Sequence, residues 1–138
     1  MQEKRHNESQ EDYLEGIYVV NQRKGYCRSV DLAEELGYTK ASVSVAVSKM
    51  KAENLLQVTH AGLLELTEEG KEIAEYTFQK HSLLKKMLCE IGVDEQQADI
   101  EACQIEHIIS DETFQRLVVM EEGCSQCEKY KMQRFSDA

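Results

Sequence analysis

The sequence predicts a mainly helical protein with one short β-hairpin near its middle. The 138 residues include no proline, and long stretches place apolar residues three and four positions apart, as on one face of a helix. One stretch departs from this spacing, because two short runs of alternating apolar residues flank a turn at 60–62. The predicted order is therefore three helices, a hairpin and further helices.

The first three helices are predicted from apolar stripes and end signals. Residues 9–23 carry one apolar stripe. A short second helix follows, with Ser29 as its N-cap and Gly37 as the residue that stops it. Thr39 is the predicted N-cap of the third helix, whose apolar positions are spaced by four and three.

The hairpin and the later helices follow from the same reasoning. Residues 55–59 and 63–67 are predicted strands. A long helix is expected from Thr67 to about Ile91, and Gly92 should end it. The remaining predicted helices are about 94–109, then 111–122 with Gly123 as the break, and a last short helix over 124–135.

Composition and cysteine usage indicate a cytoplasmic protein. The chain is 41% hydrophobic and 30% charged, which is ordinary for a soluble globular protein. No stretch approaches the roughly 18–20 apolar residues of a membrane span, and the N-terminus is too polar for a signal peptide. Five scattered cysteines in a reducing compartment are expected to be core thiols, reactive thiols or metal ligands.

The net charge of −10 is unevenly distributed. Residues 22–60 contain six basic and four acidic side chains, whereas residues 61–138 contain eight basic and seventeen acidic ones. A locally basic segment joined to an acidic remainder fits a DNA-contacting module with a cation-binding or dimerising partner module. Solvated acidic helices are the alternative reading of the same pattern.

The order helix, helix, sharp turn, helix, hairpin is that of a winged helix-turn-helix domain. We place this DNA-binding domain at 1–72 and an all-helical domain at 73–138, whose acidic charge fits cation binding or dimerisation. The third helix opens with small polar residues that allow close approach to a DNA groove. The predicted DNA contacts are Thr39, Lys40, Ala41, Ser42, Ser44 and Lys49.

One observation limits that interpretation, and one structural alternative to it exists. The hairpin tip, His60-Ala61-Gly62, lacks Arg and Lys, so the sequence gives no support for a wing contact in the minor groove. A small helical hairpin packed for structure alone is the alternative to a DNA-reading unit, but it leaves the β-hairpin unexplained.

Three groups of ligand-type side chains occur at helical spacing. Asp12 and Glu15 are three residues apart on the first helix, and His81 lies within the long helix. The most specific group is the triplet Cys103, Glu106 and His107, which points from one helix face. Oxygen, nitrogen and sulfur ligands together favour a divalent transition metal over calcium or magnesium. Solvated carboxylates and a core histidine are the alternatives for the first two groups.

These residues occur in longer stretches that resemble the diphtheria toxin repressor and MntR family of iron- and manganese-dependent regulators. The resemblance runs from about Glu11 to Met120. Its most specific segments are Glu11-Asp12-Tyr13-Leu14-Glu15-Gly16-Ile17-Tyr18, Val30-Asp31-Leu32-Ala33-Glu34-Glu35-Leu36, Leu66-Thr67-Glu68-Glu69-Gly70-Lys71 and Glu101-Ala102-Cys103-Gln104-Ile105-Glu106-His107.

The resemblance implies a metal-dependent repressor that binds double-stranded operator DNA as a homodimer. It implies Asp12 and Glu15 as ligands of the manganese branch, and His81, Glu106 and His107 as ligands shared across the family. Cys103 stands where the manganese branch has a carboxylate and the iron branch a cysteine. Mn(II) or Fe(II) is therefore the expected ion, with Zn(II) or Co(II) also compatible, and one or two ions per subunit remain open.

The remaining cysteines and several apolar positions of the helical half also lead to predictions. Cys124 and Cys127 form a single CxxC without a second CxxC or paired histidines, which is weak support for zinc, and we interpret it as structural or incidental. Cys27 and Cys89 are expected to be buried thiols. The apolar positions expected to form a dimer surface are Leu83, Leu84, Met87, Ile105, Ile108 and Ile109.

Three rival functions are considered. A winged-helix dimer that responds to an organic ligand or to oxidation of Cys103 would need no metal. An interaction protein using only the helical half would leave the hairpin without a role. An enzyme is not expected, because the chain has no nucleophile elbow, phosphate-binding glycine loop or HExxH motif.

Overall fold

The computed structural model describes residues 8–126, and this part of the chain contains six helices and one two-stranded sheet. In order they are α1 Glu8–Lys24, α2 Ser29–Leu36, α3 Lys40–Ala52, β1 Leu56–Val58, β2 Leu64–Leu66, α4 Glu68–Glu90, α5 Glu95–Ile108 and α6 Asp111–Gln126. The predicted fold class, a winged helix-turn-helix followed by helices, is confirmed. The chain divides into two compact units, one ending at Gln79 and the other beginning at Lys80.

The ends of α2 and α3 are set by short-range hydrogen bonds. Thr39 is the N-cap of α3, as predicted, and its Oγ1 accepts the Ser42 N–H at 3.1 Å. Gly37 ends α2 in the left-handed conformation at φ 68°. The predicted N-cap of α2 is wrong, because the extended residue is Arg28 and Ser29 is already helical. The Asp31 carboxylate accepts the Arg28 N–H at 3.0 Å and so fixes the start one residue earlier.

The β-hairpin is antiparallel and shorter than predicted. Leu56 pairs with Leu66, and Val58 pairs with Leu64. The segment before α2 lies along the edge of the hairpin, because the backbone carbonyl oxygen of Cys27 accepts the Leu64 N–H at 2.7 Å. The hairpin is thereby tied to the loop between α1 and α2.

One apolar core joins the hairpin to the first three helices. Its fully buried members include Leu14, Ile17, Leu32, Val43, Met50, Leu56 and Leu64. The start of α4 packs so closely against the chain before β1 that a Cβ on Gly70 would lie 2.0 Å from the Leu55 carbonyl oxygen. Only glycine fits there, which explains a glycine in the first turn of a helix despite its low helix propensity.

The second unit contains the end of α4 with α5 and α6. Gly92 follows α4 at φ 99°, as expected, and Asp94 caps α5 by accepting the Gln96 N–H at 3.2 Å. The predicted break at Gly123 is wrong, because α6 continues through it to Gln126. A glycine costs a helix only about 1 kcal/mol relative to alanine, which the hydrogen bonds of an established helix can offset. The predicted helix over 124–135 lies largely outside the described residues.

Candidate metal centre and nucleic-acid interface

The exposed face of α3 is mostly polar and positively charged, and its opposite face packs into the core. Val43, Val47 and Met50 are buried, which fixes the opposite face toward solvent. All six predicted DNA contacts are exposed, namely Thr39, Lys40, Ala41, Ser42, Ser44 and Lys49. The helix contains three lysines and no acidic residue, so its local charge suits a phosphate backbone despite the acidic whole.

Two features of α3 go beyond the sequence prediction. The Thr39 hydroxyl donates to Ser42 Oγ at 2.9 Å, so these two side chains hold one another at the start of the helix. The sequence prediction of the contact surface missed Val45, a residue that is 71% exposed. It follows Ala41 by four positions, and this spacing could have placed it on the same face.

The hairpin tip carries no cation of its own. His60 and Ala61 are exposed, and Gly62 adopts φ 80°. Arg28 forms an isolated bridge with Leu63, so one arginine lies beside the turn of the hairpin. The tip itself therefore gives no support for a wing contact, as the sequence indicated, and Arg28, one of the six basic residues of segment 22–60, lies beside it.

The second unit contains a fully buried carboxylate between two histidines. Glu106 on α5 is 0% exposed. Its Oε2 lies 2.8 Å from His81 Nδ1, and its Oε1 lies 3.3 Å from His107 Nε2. Oε1 makes no hydrogen bond within the described residues. A buried carboxylate oxygen without a hydrogen bond is costly unless a cation compensates it.

Cys103 completes this group. Cys103, Glu106 and His107 each offer one ligand atom, and these atoms lie within 4.8 Å of one another. The predicted convergence of the triplet on one face of α5 is therefore present. A thiol sulfur, a carboxylate oxygen and an imidazole nitrogen together suit a divalent transition metal. Such an ion would fit beside the buried Glu106 Oε1.

His81 has a second partner that the sequence prediction missed. Its Nε2 lies 2.9 Å from Asp99 Oδ1, and Lys85 Nζ lies 3.4 Å from the same oxygen. Burial acts to raise the pKa of Asp99, but the hydrogen bond from His81 and the charges of His81 and Lys85 outweigh it and lower the pKa. The spacing Asp99, Cys103, Glu106, by four and three, could have placed Asp99 on the ligand-bearing face of α5.

Asp12 and Glu15 belong to the other unit. They lie on α1, three residues apart, and both are partly buried. Their carboxylates therefore share one face of α1, as the spacing predicts.

Two further cysteines differ in their surroundings. Cys27 is buried, as expected, and burial raises the pKa of its thiol to about 11, so it is a poor nucleophile and ligand. The prediction that Cys89 is buried is wrong, because it lies exposed in the last turn of α4. Cys127 lies outside the described residues, and so the CxxC motif is not described.

The predicted dimer positions divide into two groups. Leu84 is buried within its own chain, so it is unavailable to a partner. Ile108 is 81% exposed, and the neighbouring positions Leu83, Met87, Ile105 and Ile109 are partly buried. Further exposed apolar side chains of this unit are Ile91, Ile100, Val119 and Met120.

Comparison with known proteins identifies both halves of the chain. Residues 6–63 match the family model described as iron dependent repressor, N-terminal DNA binding domain. Residues 67–133 match the model described as iron dependent repressor, metal binding and dimerisation domain. The two matches leave only short terminal and connecting segments outside them.

Solved structures give the same result. IdeR of T. acidophilum is 28% identical with a TM-score of 0.70, over 78% of this chain and 51% of that one. The manganese regulator SloR gives the same four values. A manganese-dependent transcriptional repressor in complex with manganese is 26% identical with a TM-score of 0.64, over 78% and 50%. The chain thus spans about half the length of these relatives.

None of the helices described for residues 8–126 combines the length and apolar character that a membrane span requires.

Proposed function

Because the chain belongs to the iron-dependent repressor family, we propose that it is a repressor controlling metal-ion homeostasis, active as a homodimer on double-stranded operator DNA. The family consists of metal-dependent transcriptional regulators with DNA-binding and dimerising domains. The observation that carries the proposal is the buried Glu106 carboxylate between His81 and His107. This arrangement has little purpose in a metal-free core, where apolar side chains of similar volume would be as stable or more so.

The proposed ligands come from both units of the chain. Glu106 and His107 with Cys103 offer oxygen, nitrogen and sulfur from one face of α5, and His81 adds a second imidazole. Asp12 and Glu15 supply carboxylates from α1. Mn(II) or Fe(II) is the proposed ion, and Zn(II) or Co(II) also suits these donors. When bound, the ion would compensate the buried carboxylate charge.

A set of ligands drawn from two units provides a mechanism for regulation. An ion held by ligands from both α1 and α5 would fix the DNA-binding unit relative to the dimerising unit. In a two-fold symmetric dimer, this sets the separation of the two α3 helices, which must match half-sites about one helical turn apart. Metal binding would then favour the one arrangement that fits the operator.

The proposed DNA contacts lie on α3. Lys40 and the helix N-terminus face phosphates, and Ala41 and Ser44 are small enough for close approach to base edges. Thr39 and Ser42 hold the first turn, and Lys49 contacts the flanking backbone.

We assign the DNA-binding domain to 1–72 and the metal-binding and dimerisation domain to 73–138, and we place the protein in the cytoplasm without enzymatic activity. Exposed Ile108, with Ile91 and Ile100, is the apolar surface we propose for the dimer. The expectation that Leu84 contributes is withdrawn because it is buried within one chain.

The test is operator binding measured against metal. A binding site is first selected from random duplex DNA in the presence of Mn(II), and its affinity is measured with Mn(II), Fe(II), Co(II), Zn(II) or chelator. Glu106→Gln, which removes the buried charge, should abolish the metal response. Glu112→Gln on the exposed start of α6 is the matched control and should respond as the wild type. Equal DNA affinity with metal and chelator would contradict the proposal.

A further inference from the structure

His81 lies between two carboxylates that differ in their surroundings. Glu106, at its Nδ1, is fully buried, whereas the side chain of Asp99, at its Nε2, is 55% exposed. The imidazole is itself mostly buried, with 16% of its side chain exposed. Each ring nitrogen thus has a carboxylate partner, and both of these carboxylates belong to α5.

The two nitrogens of a metal-bound histidine have different roles. The nitrogen that binds the ion has lost its proton, and the other donates its N–H to a nearby acceptor. An ionised carboxylate can only accept, so Asp99 favours a proton on Nε2. The Nδ1 lone pair then faces Glu106 Oε2, and the other oxygen of the same buried carboxylate lies beside His107.

The position of Lys85 bears on whether Asp99 could itself bind the metal ion. Its ammonium lies 3.4 Å from Asp99 Oδ1, the oxygen that contacts His81, and 3.7 Å from Glu95 Oε1. A cation already beside that oxygen repels a divalent ion. Asp99 is therefore suited to hold the imidazole and unsuited to bind metal.

We propose that Asp99 is a positioning residue, which fixes His81 with its proton on Nε2 and so presents Nδ1 to the metal. Lys85 keeps Asp99 in this role and excludes a second ion from the Nε2 side of His81. This inference rests on the proposed function, because it requires metal at Glu106 and His107.

The test uses Zn(II)-loaded full-length protein, which is diamagnetic. Long-range ¹⁵N–¹H spectra of the histidine rings, assigned with His81→Gln, show which nitrogen of His81 carries the proton. The expected result is a proton on Nε2 and metal on Nδ1. Metal on Nε2 would overturn the inference.

Metal affinity provides the second readout. Asp99→Ala should weaken Zn(II) binding about 10–100-fold, as loss of such a hydrogen-bond partner typically does. Asp99→Asn retains an acceptor oxygen and should recover part of the affinity with the same tautomer. Glu95→Ala is the matched control, since it also removes a carboxylate beside Lys85 but does not touch His81.

The outcomes separate this inference from the proposed function. If Asp99→Ala binds Zn(II) as Glu95→Ala does while Glu106→Gln loses it, only the positioning role is overturned. If Asp99→Ala lowers the number of ions per chain, Asp99 is a ligand and the inference is also wrong. If Glu106→Gln and His107→Ala bind as the wild type does, the metal site itself is wrong and both proposals are overturned.

Discussion

His107 Nε2 lies 3.3 Å from Glu106 Oε1, and no hydrogen bond joins the two atoms. Both side chains are nevertheless almost completely buried. Neighbouring residues on one helix seldom face each other, because i and i+1 positions diverge by about 100° around the axis. Their side chains converge here at the ring and carboxylate ends. This convergence supports the proposal that both side chains bind one ion.

Metal should stabilise the protein through Glu106. Ligand binding to the folded state adds about 2.7 kcal/mol at a metal concentration of 100 times Kd, so the wild type should melt several degrees higher with Mn(II). Glu106→Gln should lose this shift, because the uncharged amide no longer supplies a carboxylate ligand, and each protein is compared with its own metal-free midpoint. Thermal unfolding with Mn(II) and with chelator measures both. A shift retained in Glu106→Gln would show that the ion binds elsewhere.

Cys103 should tune metal preference. A thiolate is softer than a carboxylate, so Cys103→Glu should shift the response toward Mn(II) and weaken Zn(II) binding without abolishing regulation. In Co(II)-loaded protein, a sulfur-to-metal charge-transfer band in the near ultraviolet should be present in the wild type and absent in Cys103→Ser. Cys89→Ser, which removes another exposed thiol, is the control. Identical spectra for wild type and Cys103→Ser would mean that the sulfur does not coordinate.

Ser42 tests the DNA interface. Ser42→Glu places a bulky negative charge at the exposed start of α3 and should abolish operator binding while metal binding and dimerisation remain. Ser82→Glu, at an exposed position of α4, is the matched control and should bind operator normally. Fluorescence anisotropy with labelled operator distinguishes them. Unchanged affinity in Ser42→Glu would mean that α3 is not the recognition helix.

Gly70 should tolerate no side chain. A Cβ there would lie 2.0 Å from the Leu55 carbonyl oxygen, which is backbone and cannot turn aside. Gly70→Ala should therefore destabilise the protein by about 1–3 kcal/mol, although alanine is normally the better helix former. Denaturant unfolding measures the loss. Gln79→Ala, at an exposed position of the same helix, should be nearly neutral, and equal stability of the two variants would contradict the packing described here.

Asp31 gives a pH dependence of known sign. The hydrogen bond from Lys24, followed by that from the Arg28 N–H, lowers the pKa of its carboxyl. Such a group stabilises the folded state above its unfolded pKa of about 3.9, and this stabilisation is lost as the pH falls through the folded pKa. Wild type should therefore be more stable than Asp31→Asn at pH 7, and the difference should vanish in strong acid. Glu34→Gln, a nearby exposed carboxylate, should show a smaller difference or none.

Sequence patterns predicted the elements better than they predicted their ends. Apolar spacing located every helix of the described chain, and Gly37 and Thr39 ended and began helices as expected. The start of α2 was misplaced because serine is the commoner N-cap, whereas here the Asp31 side chain decides. Gly123 was misread because a glycine ends a helix only where the backbone turns left-handed, and α6 does not turn there.

The candidate site was predictable in part for a similar reason. Cys103, Glu106 and His107 share one helix, so their spacing alone places them together. The contact of His81 with Glu106 joins residues 25 positions apart and needs the packing of α4 against α5, which no local pattern contains. Asp99 was overlooked because single carboxylates on helices are common, and only its contact with His81 distinguishes it.

The central claim is that metal and DNA binding are coupled through ligands on both units. Linkage requires that operator tighten metal binding by the same factor by which metal tightens operator binding. The most direct measurement is titration of Mn(II) into the wild-type protein, with and without saturating operator duplex, followed calorimetrically. We expect a Kd for Mn(II) about 5–150-fold lower with operator, the usual range of such coupling. Equal Kd values in the two titrations would contradict it.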